Sequence, residues 1–273
     1  MRGSARTALA ASLGAALLLA GCAARGFVVP SGGGTVEPSL AQAFQASVAS
    51  CGDLRSLTAD IKLSGRVDGR RVRGTLQVGL TRDGGVRIEA VAPFGAPIFT
   101  IAGRADAGTL WLPRSQEVVR AAPAEILEAL TGVSLPASGL FEIVTACPAE
   151  DDAVVKAERF ANPDLARVSL RSGAEVWWRP GVSPLRPLGA RRAGALVEYR
   201  TFAGDRPQTL RLGAAPGNAG ASGTPAAPRA DLSLTLQQVE PNVALGDDAF
   251  ALAVPGGAKA LTLSELRQAG VLR

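Results

Sequence analysis

Between Leu57 and Ala92 the chain alternates apolar and polar residues with a period of two, which leaves room for little besides an antiparallel meander. Leu57, Ala59, Ile61, Leu63 and Val67 alternate with Thr58, Asp60, Lys62, Ser64 and Arg66. After Asp68-Gly69 the pattern resumes, with Val72, Leu76, Val78 and Leu80 set against Arg71, Arg73, Thr75, Gln77 and Thr81. After Asp83-Gly84-Gly85 it resumes again, with Val86, Ile88, Ala90 and Ala92 set against Arg87 and Glu89. Asp-Gly between alternating runs signals a tight hairpin. Three strands follow, each with one face toward a core and the other toward water.

The pattern continues on both sides of this meander. Pro93-Phe94-Gly95-Ala96-Pro97 makes a tight loop, and residues 98–103, 109–112 and 117–120 read as three more strands. The period then changes. Pro123-Ala124-Glu125 opens a helix, with proline at its start and an acid in the first turn. Ile126, Leu127 and Leu130 form its apolar side, Gly132 closes it, and a second short helix is expected over residues 138–145. Strands return at 154–160, 166–170, 175–178, 195–202 and 209–212, and Leu232, Leu234 and Leu236 mark another. Trp177-Trp178 places one ring on each face of its strand. Residues 214–230, dense in Ala, Gly and Pro, read as a flexible insertion. Phe250, Leu252 and Val254 suggest a last extended segment, and residues 263–268 a terminal helix. Upstream, a helix is expected over 37–51, with Leu40, Ala43, Phe44, Val48 and Cys51 near one face and Gly52 as its stop.

The fold class is therefore mainly β (α+β): a helix, six strands, a helical insertion, then about six strands. A sheet this long must twist and curl, and the inserted helices can cover its apolar concave face as a lid. Aromatic residues make up 4% of the chain. Walls of Leu, Val and Ile with Ala and Gly between them leave either an incompletely filled cavity or Ala-compensated packing.

The first residues carry an address. Arg2 and Arg6 precede an uncharged apolar run from Ala8 to Ala20, a pattern that describes a secretory signal peptide and is too short to span a bilayer. Leu19-Ala20-Gly21-Cys22 resembles the lipobox of bacterial lipoproteins, in which the cysteine is acylated and becomes the mature N-terminus. That resemblance makes residues 1–21 a removed leader, Cys22 the site of a covalent lipid, and 22–36 a Gly-rich tether. The residue after Cys22 is Ala23 and not the Asp that retains enteric lipoproteins in the inner membrane, so the expected location is the outer membrane, on its periplasmic face. In an oxidising compartment Cys51 and Cys147 read as one disulfide, or else as two buried thiols.

The order of elements from Glu37 to Pro255, together with three local patterns, resembles the Lol family of lipoprotein carriers and receptors, LolA and LolB. Ala92-Pro93-Phe94-Gly95 is similar to a turn in LolB whose apolar residue protrudes toward the membrane. Ile126, Leu127, Leu130, Gly132, Leu135 and Pro136 are similar to the lid helices. Asp248-Ala249-Phe250 leading to Val254-Pro255-Gly256 is similar to the family's ending. The resemblance implies an unclosed β-barrel of about 11 strands with a helical lid and an N-terminal helix, over residues 37–255. The lid would fall at about 123–146 and a C-terminal tail at 256–273. It implies a hydrophobic cavity for acyl chains, with Ile61, Leu63, Leu76, Val78, Ile88, Ile101, Ile126 and Leu130 as candidate lining residues. Pro93, Phe94 and Gly95 become a candidate membrane-insertion loop; alternatively Phe94 folds back and plugs the barrel. LolB-like receptors usually carry several tryptophans in the barrel, whereas this chain has Trp111, Trp177 and Trp178. The arginine that ties the lid closed in LolA has no assignable counterpart among the many arginines here.

Composition narrows the chemistry. The chain has no histidine, which removes imidazole acid–base catalysis, His-based triads and His-ligated metal sites. Asp151-Asp152 and Asp247-Asp248 lack the ligand series of a calcium loop, and the glycine runs lack the strand-to-helix setting of a phosphate loop. The formal charge is +5. Removing Arg2 and Arg6 with the leader leaves 5 − 2 = +3, a mild excess with no aromatic-interleaved basic run of the kind that binds single strands. Nucleic acid is not expected as a partner, nor a cofactor beyond the lipid on Cys22. The expectation is a monomeric, non-enzymatic outer-membrane lipoprotein that takes acyl chains or lipoprotein cargo, from a periplasmic carrier protein. The alternatives are a structural lipoprotein of an envelope assembly and a sensor or chaperone for another amphiphile.

Overall fold

The structure is a computed structural model that describes residues 27–92, 97–133, 135–214 and 230–269. The meander forms where the alternation places it. β2 (Ser56–Val67) and β3 (Arg70–Thr81) pair along their whole length, from Ser56↔Thr81 to Val67↔Arg70, and β4 (Gly85–Val91) joins β3 from Leu80↔Val86 to Thr75↔Val91. β5 (Phe99–Arg104), β6 (Ala107–Leu112) and β7 (Glu117–Ala121) extend the sheet one way. The other way run β14 (Ala230–Pro241), β13 (Arg206–Ala214), β12 (Ala195–Ala203), β11 (Pro187–Arg192), β10 (Glu175–Trp178), β9 (Asp164–Leu170) and β8 (Val154–Ala161). Two-residue strands finish both borders: β1 (Thr35–Val36) on β8, and β15 (Lys259–Ala260), the parallel member, on β7. The result is one large curved, unclosed sheet.

It has 15 strands among the described residues, not about 11. β1 and β15 are too short to show a period. β11 hides for another reason: its sequence, Pro-Leu-Gly-Ala-Arg-Arg, places Arg192 on the buried side, which breaks the apolar alternation. The expected extended segment at 250–254 is not a strand; Phe250 instead ends a 3-10 turn, Asp247–Phe250, and is buried.

The ends of the chain are built into the fold more than the expected boundaries imply. Residues 35–36, read as tether, form β1, and the segment from 256 onward, read as a tail, supplies β15 and α4 (Leu263–Ala269). A helix of 7 residues has little stability alone. Leu266 is buried at 1% exposure, and burying a leucine stabilises by about 1.5–3 kcal/mol, which holds the segment down. The expected N-terminal helix is shorter than its 37–51 span: α1 (Ser39–Ser47) gives way to a 3-10 turn at Ala49–Asp53, and it buries Leu40 and Phe44 while Ala43 faces water.

Inner-facing residues line up across the sheet. One row runs Ala59, Val78, Ile88, Ile101, Leu110 and Val119 through successive register pairs, all of them buried. The tryptophans divide as the strand pleat requires, yet both are buried. Trp178 joins the core, stacked on Phe44 at 5.8 Å between centroids. Trp177 lies on the outer face, covered by Phe27 at 5.6 Å and by the Arg191 guanidinium.

Candidate functional site

The concave face is covered by two helices, α2 (Pro123–Thr131) and α3 (Ala137–Thr145). α2 begins where its sequence dictates: proline sits at the first position, and the Glu125 carboxylate accepts a hydrogen bond from the Ala122 N–H. It ends at Gly132, whose φ of 73° favours glycine. Between sheet and helices lies a cavity of about 110 Å³. Ile61 and Leu63 of β2, Leu76, Val78 and Leu80 of β3, Ile88 of β4, and Phe99 and Ile101 of β5 form its floor. Leu212 of β13 with Leu232 and Leu234 of β14 close one side. Leu127, Leu130 and Thr131 of α2, Leu135 of the linker, and Leu140, Ile143 and Val144 of α3 form the roof. Thr131 is the one polar residue of this lining, and its hydroxyl donates back to the Leu127 carbonyl at 2.7 Å. The walls therefore offer dispersion and burial and hold no charged group.

Of the candidate lining residues, Ile61, Leu63, Leu76, Val78, Ile88, Ile101 and Leu130 stand around this space. Ile126 does not; it is fully buried in the core outside the lining. The residues that sequence reasoning missed split into two kinds. Leu80, Leu232 and Leu234 belong to alternating runs already read as strands, so the same signal would have found them. Leu135 and Ile143 depend on how the linker and α3 fold down, which periodicity does not encode.

The two roof helices are fastened differently. α3 is held at several polar points. Arg192 of β11 pairs with Glu142, and the Tyr199 hydroxyl of β12 donates to the Ile143 carbonyl at 3.2 Å. Arg82, from the β3–β4 turn, lies 5.4 Å from the Phe141 ring centroid and donates to the Leu54, Pro148 and Cys51 carbonyls. Cys147, just past the helix, is disulfide-bonded to Cys51. Burial pushes the Glu142 carboxyl above its ordinary range, more than the Arg192 charge pulls it back. Burial likewise pushes the Tyr199 hydroxyl up to about 12, so it stays a donor at any physiological pH. α2 packs against β5, β6, β7 and α4 and buries Pro123, Ile126, Ala129 and Leu130.

Cys22, the loop Pro93-Phe94-Gly95 and the insertion within 214–230 fall outside the described residues, except for Ala214 and Ala230 at the ends of β13 and β14.

No curated protein matches the chain by sequence. Among solved structures, a LolA superfamily protein from Nitrosomonas europaea superposes at 15% identity and a TM-score of 0.49, covering 76% of this chain and 97% of that one. An outer membrane lipoprotein-sorting protein domain from Vibrio parahaemolyticus does so at 12% identity and 0.48, covering 77% and 95%. The lipoprotein LppX of Mycobacterium tuberculosis does so at 13% and 0.30, covering 77% and 98%. A family model described as outer membrane lipoprotein LolB matches residues 56–177, from the first strand of the meander through the lid helices to Trp177, and over that stretch the chain is LolB-like.

Proposed function

We propose that this protein is a lipid-anchored outer-membrane receptor that takes the acyl chains of lipidated cargo into the cavity beneath α2 and α3. The observation that carries this reading is the cavity itself: a space under the lid whose lining holds eighteen residues, Thr131 being the polar one. Such a space binds by apolar burial. Each methylene moved out of water contributes about 0.8 kcal/mol, and no nucleotide or metal is needed for that. The match of residues 56–177 to the LolB model supports the same class.

The cavity, at about 110 Å³, is in the range of engineered apolar cavities of about 150 Å³ that take one benzene. It accommodates the end of a chain, and a full acyl group requires the roof to move. α2, with its apolar seat and Gly132 at its end, is the part that yields. In this reading Cys22 carries the lipid, the chain faces the periplasm, a periplasmic carrier delivers the cargo, and Phe94 inserts into the bilayer.

The test is native mass spectrometry of the mature chain isolated without detergent. Adducts with the mass of a phospholipid, lipopeptide or lipoprotein are the expected result. Their absence, together with no uptake of a fluorescent fatty acid, would assign the fold to a scaffold role instead.

A further inference from the structure

The outer face of the sheet carries a second feature, at the tip of the β2–β3 hairpin. Residues 66–73 read Arg-Val-Asp-Gly-Arg-Arg-Val-Arg, four cations against one acid, and all four arginines are exposed. The register sets Arg66 directly across from Arg71, and Arg70 follows at the turn. Like charges placed opposite one another destabilise a strand pair. On the other side of β2 the residue across from Arg66 is Asp231, but Arg211 takes both of its carboxylate oxygens, at 2.5 and 2.6 Å. β4 pairs no farther than Thr75↔Val91, so Arg71 and Arg73 lie beyond its last register pair. Arg66, Arg71 and Arg73 thus share the outer face, Arg66 also donating to the Gly69 carbonyl at 2.8 Å, and Arg70 is exposed at the turn.

Two further observations say what lies opposite. A continuous outer row of register partners runs Trp177, Gly189, Glu198, Arg211, Ser233, Ser64 and Arg73. Phe27 docks on the far end of that row, over Trp177, with its N–H donating to Glu198 Oε1 at 3.2 Å. At position 189 a Cβ would come within 2.3 Å of the Phe27 ring, so a glycine makes the seat. Cys22 is five residues upstream, a reach of about 17 Å at most. Phe27 therefore sits on the same outer face that carries the arginines, six strand spacings away along the curved sheet, or about 29 Å at ~4.8 Å each.

We propose that the β2–β3 tip, through Arg66, Arg70, Arg71 and Arg73, docks on the anionic headgroups of the bilayer that holds the anchor. Anchor root and tip then hold the outer face of the sheet to the bilayer at two points. This rests on the reading that Cys22 is lipidated. An arginine near an anionic surface strengthens attachment by roughly fivefold, and the effect fades as salt shortens the Debye length.

The test is co-sedimentation of the chain from Ala23 onward, disulfide formed and unlipidated, with vesicles of phosphatidylcholine alone or in equimolar mixture with phosphatidylglycerol. The expected result is salt-sensitive binding to the mixed vesicles and none to phosphatidylcholine. Arg71→Gln with Arg73→Gln weakens it about 25-fold, at roughly fivefold per arginine. Arg179→Gln with Arg206→Gln, an equal change of charge at exposed positions elsewhere, leaves it unchanged. Equal weakening by the two pairs would reduce the effect to net charge and overturn the proposal. So would unchanged vesicle affinity accompanied by self-association, which would assign the arginines to guarding a strand edge. The assay involves neither cargo nor lipid anchor, so an empty cavity leaves this result standing, and a negative result here leaves the cavity reading standing.

Discussion

Gly34 sits where a Cβ would come within 2.8 Å of the Arg159 carbonyl oxygen and 3.0 Å of the Glu158 side chain. A glycine that reads as spacer in the sequence is therefore also a place of close approach, where β1 is laid against β8. Beneath it Glu158 is 1% exposed and accepts from both Lys156 and Arg167. Burial pushes its carboxyl up, but the hydrogen bonds and charges of Lys156 and Arg167 outweigh that and hold it below its ordinary value. The sign follows: a carboxyl lowered on folding contributes stability above its unfolded pKa of about 4.3 and loses it as pH falls through the lower folded value. Glu158→Gln is expected to lose about 1.5–3 kcal/mol at neutral pH, the worth of hydrogen bonds to a charged group. In urea titrations the gap to the native protein should narrow from about pH 4 downward; a gap of constant size would refute the assignment. The sequence showed Glu158 only as one polar residue of an alternating strand. β1 pairs Val36 with Glu158, and its two residues carry no period, so this neighbour of Glu158 was invisible in the sequence.

At the scale of elements the contrast lies between what local pattern encodes and what docking decides. β2, β3 and β4 were legible nearly to the residue because their alternation is uninterrupted and their turns are Asp-Gly. The lid helices were legible for a similar reason: Pro123 and Gly132 punctuate α2 from both sides. β11 was not, since its arginine faces inward to meet Glu142 on α3, a partner 50 residues away in sequence. That ion pair and the Cys51–Cys147 disulfide, closing a separation of 96 residues, make α3 the fixed half of the roof. A loop of that length corresponds to about 4.7 kcal/mol in the chain-entropy model, against about 2–5 kcal/mol typically seen on removing a native disulfide. Cys51→Ala with Cys147→Ala is expected to lower stability within that second range. Hydrogen exchange should separate the two helices: α2 amides exchange sooner than α3 amides in the oxidised protein, and reduction brings α3 toward α2 while β2 and β3 stay protected. Equal exchange of both helices before reduction would remove the argument that the roof opens at α2.

For the whole molecule, the question is why a curved sheet of this size keeps an unfilled space at its centre. Protein interiors are packed like organic crystals, and voids forfeit contacts. A cavity of about 110 Å³ therefore lowers stability by an amount that mutational work puts near 24 cal/mol per Å³, or about 2–3 kcal/mol. The proposed binding role accounts for such a space, and it separates stability from binding. Val78 lies on the floor, 7% exposed, between Ala59 and Ile88 in the inner row. Val78→Phe places a ring in the space. If the space is a binding site, this variant should keep its thermal stability or gain a few degrees while its affinity for a fluorescent fatty acid falls by tenfold or more, which corresponds to about 1.4 kcal/mol. If the space is instead an idle packing fault, the same substitution leaves binding where it was. Overpacking that costs about 1–3 kcal/mol, with fatty-acid affinity intact, would place the ligand elsewhere on the molecule and sink the cavity as the site.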